Sequence, residues 1–96
     1  MDMLLLVYDV DFDEDVMETL SGCSITGYTK WERVLGMGER SAPKMNDAVW
    51  PGFNCAVMIA ADEEKVPVLF DALKALHQKV GGKGLRVFTW PVMKII

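Results

Sequence analysis

Hydrophobic positions along this chain change period from one stretch to the next, and each period predicts an element. Met3 to Val10 (MLLLVYDV) is an apolar run rich in β-prone residues, which predicts a strand. Phe12, Val16 and Leu20 then recur at spacings of four, the mark of one helical face. Asp11 is expected to cap that helix, with Glu14 closing a capping box and Gly22 stopping it. Ile25 to Val34 mixes β-branched and aromatic residues with charges and predicts a half-polar strand. Leu35 to Pro51 shows no clear period and contains Gly36, Gly38, Pro43 and Pro51. Phe53 to Ala61 predicts a third strand. Asp62 is expected to open a second helix, whose start shifts as late as Glu64 because Pro67 is tolerated only in a first turn. Val66, Leu69, Phe70, Leu73, Leu76 and Val80 line one face of it. Gly81 and Gly82 end it, and Leu85 to Val92 predicts a final strand broken by Pro91.

The order β-α-β-β-α-β joins two right-handed crossovers. The expected fold class is α+β, ferredoxin-like, one domain over residues 1–96. Its four-stranded antiparallel sheet carries both helices on one face. The first and third strands belong in the middle and the second at an edge. The residues agree independently. Leu4 and Leu6 alternate with Leu5 and Val7, and Cys55, Val57 and Ile59 with Ala56, Met58 and Ala60, so both strands are apolar at both parities. Lys30, Glu32 and Arg33 suit an edge. A sheet with helices on one face ordinarily turns a polar face to water. Leaving about five apolar side chains wet forgoes roughly 1.5–3 kcal/mol each. A homo-oligomer packed through that second face is the expectation.

Composition narrows the partners. The 96 residues carry 10 basic and 14 acidic side chains, a net charge of -4. That balance disfavours nucleic acid and anionic membrane surfaces, which demand a basic footprint. Cys23 and Cys55 form no CxxC pair and are expected to be free thiols in a cytoplasmic setting. The first apolar run is cut by Asp9, Asp11 and Asp13, so neither a signal peptide nor a membrane-embedded chain is expected.

Two segments offer chemistry. Residues 36–52 far exceed the few that a hairpin needs, and loops that long are usually functional or disordered. Arg40, Lys44 and Trp50 there suit a protein partner. The other segment is Gly81-Gly82-Lys83-Gly84, with Arg86 just beyond. Glycines let backbone N–H groups converge on an anion, and a lysine adds charge. A helix stop needs one glycine, not three. No strand precedes these glycines, so this is not a P-loop. His77 reads as a solvated helix residue. The acids Asp9, Asp11, Asp13 and Glu14 read as a solvated helix start. With one histidine there is no recognisable nucleophile–base set, so an enzyme is not expected.

The segments Val34–Arg40 (VLGMGER), Asp62–Val66 (DEEKV) and Gly81–Val92 (GGKGLRVFTWPV) resemble the PII-like superfamily, across nearly the whole chain. The first resembles the strand that runs into the family's T-loop, the second the start of its second helix, the third its B-loop and last strand. The resemblance implies a trimeric regulatory protein that binds a small anionic effector, an adenine nucleotide (ATP, ADP or AMP), at subunit clefts. It implies phosphate contacts from Gly82, Lys83 and Gly84, with Arg86 beside them and Gly36 and Gly38 opposite. It also implies that the 36–52 loop meets a regulated partner such as a transporter or an enzyme. Two departures set the chain apart. No tyrosine lies between Leu35 and Phe53, and Met93-Lys94-Ile95-Ile96 lacks the arginines that follow the last strand in nitrogen-signalling PII proteins. The expectation is a divergent PII-like protein. The alternatives are a CutA-like metal-responsive protein using Cys23, Cys55, His77 or loop methionines, and an acylphosphatase-type enzyme. The latter wants a basic anion loop where Asp9, Asp11 and Asp13 stand.

Overall fold

A computed structural model describes residues 1–39, 43–45 and 52–96. The elements are β1 (Asp2–Asp9), a short 3₁₀ turn (Val10–Phe12), α1 (Asp13–Gly22), β2 (Thr29–Val34), β3 (Asn54–Ala61), α2 (Val66–Lys79) and β4 (Leu85–Pro91). The sheet runs β2-β3-β1-β4, so the two apolar strands are central and the charged β2 lies at an edge. Every neighbouring pair is antiparallel. Among the described residues no helix is long and apolar enough to cross a membrane. Cys23 and Cys55 are free thiols.

One parity of the central strands builds the core. Leu4, Leu6 and Tyr8 of β1 and Cys55, Val57 and Ile59 of β3 are buried with Val16 and Leu20 of α1 and Leu69, Leu73 and Leu76 of α2. Both helices therefore cover the same face. The other parity carries Met3, Leu5 and Val7, half-buried, beside Ala56, Met58 and Ala60. The registers Leu5↔Phe88, Met3↔Trp90 and Trp31↔Ala56 extend that face outward with aromatics. Phe88, Trp90 and Trp31 are 52%, 42% and 46% exposed.

The element boundaries depart from expectation where side chains compete for the backbone. Asp9, not Asp11, starts the first turn: its carboxylate accepts from the Asp11 N–H at 2.9 Å. The chain turns two residues early, runs through the 3₁₀ turn, and α1 begins at Asp13 with no side-chain cap. The Asp11–Glu14 capping box does not form. Gly22 ends α1, but the left-handed residue is Ser24, at φ 59°. The N–H of Ile25 reaches Leu20 O and that of Ser24 reaches Ser21 O, a Schellman closure. That spends the Ile25 N–H and drops Ile25 into the core, so β2 starts at Thr29 and not at Ile25. Asp62 O accepts from Lys65 and Val66 in a turn, and α2 starts only at Val66, with Pro67 in its first turn. Phe70 is 37% exposed and stands at the margin of the helical face expected to bury it.

Candidate functional site

The site lies where β1 and β3 meet the glycine turn. Antiparallel pairing of β1 with β4 sets Tyr8 opposite Leu85, so the last residue of β1 reaches the turn that precedes β4. The Asp9 N–H donates to Gly84 O at 2.8 Å. Gly82 and Gly84 take φ of 75° and 77°, a region L side chains avoid. A Cβ on Gly84 would also stand 2.8 Å from a ring carbon of Phe12. Glycine at 84 is therefore required twice over, by the turn and by the close approach of the 3₁₀ segment.

The base of the long connection closes the other side. Gly36 and Lys44 form a two-way bridge, Gly36 N to Lys44 O at 2.9 Å and Lys44 N to Gly36 O at 2.6 Å. The Lys44 ammonium then pairs with Asp9 at 2.7 Å. Between these walls opens a cleft of about 770 Å³, lined by Gly36, Met37, Gly38, Glu39 and Lys44 on one side and Gly82, Lys83, Gly84 and Arg86 on the other. Val7, Asn54 and Phe88 supply its floor from β1, β3 and β4. Lys83 and Arg86 are exposed, and neither makes an ion pair among the described residues. The cleft thus offers glycine backbone, cations and a strip of apolar surface to one ligand.

Gly36, Gly38, Gly82 and Gly84, with Lys83 and Arg86, border this single cleft, although 44 residue positions separate Gly38 from Gly82; Gly81 does not line it. Lys44, expected as a partner contact, is half-buried, held to Asp9, and lines the same cleft. Arg40 and Trp50 lie outside the described residues. His77 lies apart from the cleft, near Gly82 and in a smaller groove with Phe70, Leu73 and Lys74. Among the described residues no three His, Cys, Asp or Glu side chains group as metal ligands. Asp9 and Asn54 are the site residues that sequence reading missed. Asp9 looked like part of a solvated acidic face, and only the strand register carries it to the glycine turn.

Behind the cleft a polar network fixes the end of β1. Tyr8 Oη donates to Asp13 at 2.6 Å, and Lys30 Nζ pairs with the same carboxylate at 2.8 Å. Burial first, and the Asp13 hydrogen bond second, push the Tyr8 hydroxyl far above its ordinary range, so it stays protonated as a donor. Burial alone would raise the Asp13 pKa, but hydrogen bonds from Lys30 and Tyr8 outweigh it and hold the carboxyl below its usual value. The Asp13 bond in turn raises Lys30. Burial raises the nearby Cys55 thiol, with Asp13 adding to it, which leaves a protonated, inert sulfur that donates to Glu32 O.

No family model and no curated protein matches the chain. Solved structures do. CPII from Thiomonas intermedia, described as a nitrogen regulatory PII-like protein bound to ADP, AMP and bicarbonate, superposes with a TM-score of 0.69 at 15% identity, covering 97% of this chain and 88% of that one. A DUF3240 family protein from Shewanella baltica gives 0.71 at 18% identity, covering 98% and 91%. A PII-like signalling protein from Thermus thermophilus gives 0.63 at 17% identity, covering 95% and 85%. The chain has a PII-like fold. The likeness spans nearly the whole of this chain and most of each of the others.

Proposed function

We propose that this protein is a PII-like regulatory protein rather than an enzyme. It binds a phosphate-bearing effector, an adenine nucleotide, in the cleft between the 36–44 strap and the 81–84 turn. Gly38 and Gly84 present backbone N–H groups, Gly36 and Gly82, whose own N–H groups are spent on Lys44 O and His77 O, shape the two walls, and Lys83 and Arg86 supply charge. The observation that carries this reading is the convergence of two remote glycine segments on one cleft with two cations that make no ion pair among the described residues. Phe88, Val7 and Met37 give a base or ribose an apolar surface. The likeness to CPII, a protein bound to ADP and AMP, supports the choice of nucleotide.

The reading extends to assembly. The helix-free sheet face carries Met3, Leu5, Met58, Phe88, Trp90 and Trp31 side by side, and a second and third copy of the chain cover it in a trimer. The rest of the 36–52 loop, with Arg40 and Trp50, then meets a protein partner and reports whether the cleft is filled. Titration calorimetry with ADP tests the cleft. Wild type is expected to bind, and Lys83→Ala to bind about tenfold more weakly, the worth of one charge-assisted contact. Equal heats for the two proteins would remove Lys83 from the site.

A further inference from the structure

Asp9 occupies an odd position for an acid beside a cleft that otherwise suits anions. Its backbone N–H holds the carbonyl of Gly84 in one wall, and its carboxylate holds Lys44, which bridges to Gly36 in the other. Its Cβ lies 3.6 Å from where a Cβ on Gly84 would stand. The Asp9 side chain is only 17% exposed, and its carboxylate also accepts from the Asp11 N–H. Both bonds aim it at Lys44. Burial opposes its charge, but the Lys44 and Asp11 hydrogen bonds prevail and keep it ionised below its ordinary range.

The charge count shows what this arrangement does. Lys44, Lys83 and Arg86 line the cleft against Glu39. Asp9 satisfies Lys44 from behind and so subtracts a third cation from those facing a ligand. We propose that Asp9 is a specificity-determining residue that withholds Lys44, so that only a ligand charged enough to compete for the ammonium recruits it. This rests on the cleft being an anion site, as argued above. A ligand that recruits Lys44 draws on the residue bridged to Gly36, and therefore on the root of the long loop. Binding is thereby coupled to the Gly36–Lys44 bridge through one ion-pair exchange.

The test is ADP affinity by calorimetry in four proteins: wild type, Asp9→Asn, Lys44→Gln and the double variant. Asparagine keeps the acceptor for the Asp11 N–H and puts an uncharged amide NH2 where the oxygen held Lys44. Asp9→Asn is expected to bind ADP about tenfold more tightly than wild type, since Lys44 is released to make a charge-assisted bond. The double variant is expected to lose that gain. A purely structural role for Asp9 predicts weaker binding, never tighter. Asp9→Ser also keeps an acceptor oxygen and is expected to repeat the result, which guards against one variant folding poorly. Affinity unchanged or reduced in both Asp9 variants overturns the proposal while the anion cleft stands. A gain that survives in the double variant removes Lys44 as the agent and overturns it too. No binding by any of the proteins overturns both readings.

Discussion

The two faces of the sheet use the same strands to different ends. The face under the helices is aliphatic and closed: Leu4, Leu6, Val57, Ile59, Leu69 and Leu73 are at most 1% exposed. The opposite face is apolar as well, yet its largest side chains, Phe88, Trp90 and Trp31, stand on the flanking strands and are about half exposed. Small residues, Ala56 and Ala60, lie between them on β3. A core fills its middle with its largest groups. Here the aromatic bulk stands on the flanking strands and is left half exposed. The comparison teaches that one face is complete within a single chain while the other stays apolar and open, as the proposed oligomer requires.

The largest expected effect strikes the closed face. Leu73→Ala removes a side chain 1% exposed between α2 and the sheet and is expected to cost about 2–5 kcal/mol in urea unfolding. A cost below about 1 kcal/mol would mean that this face is not the core. A smaller loss is expected from Asp13→Ala, roughly 1–3 kcal/mol, because it strands the Tyr8 hydroxyl and leaves Lys30 unpaired. The Asp13 contribution also has a pH signature. Its native pKa is depressed, so its stabilisation is full above the ordinary value of 3.8 and is lost as pH falls through the native value. Unfolding measured against pH below 5 is expected to be flatter in Asp13→Asn than in wild type, and identical acid limbs would count against the network. The smallest effect on the single subunit belongs to the open face. Phe88→Glu is expected to change subunit stability by less than about 1 kcal/mol while abolishing self-association in sedimentation. If Phe88→Glu unfolds a protein that was monomeric from the start, the contrast between the faces collapses.

The fold was legible because it rests on period and parity. Alternation in two strands apolar at both parities placed β1 and β3 in the centre, and the charges of Lys30, Glu32 and Arg33 placed β2 outside, without any knowledge of pairing. The i, i+3, i+4 spacing found α2. Boundaries were less legible, because they turn on which of several nearby acceptors wins a backbone N–H. Asp9 took the Asp11 N–H before an Asp11 cap could form, and Ser24 rather than Gly22 accepted the left-handed turn. The glycine turn of the site was visible from composition alone, since three glycines exceed what a helix stop requires. Its counterpart at Gly36 and Gly38 stood out only as part of an overlong connection.

What the sequence determined by itself is the layering: periodicity is a local property, and burial follows from it wherever the pattern is strong. Tertiary structure alone decided the cleft. Asp9, Lys44 and Gly84 are far apart in the chain, and strand register and one two-residue bridge bring them within bonding reach. Asp9 shows the difference most plainly. In the sequence it is one acid among several before a helix; in the fold, the N–H and carboxylate of a single residue hold opposite walls of the site, because pairing across the sheet ends β1 between them.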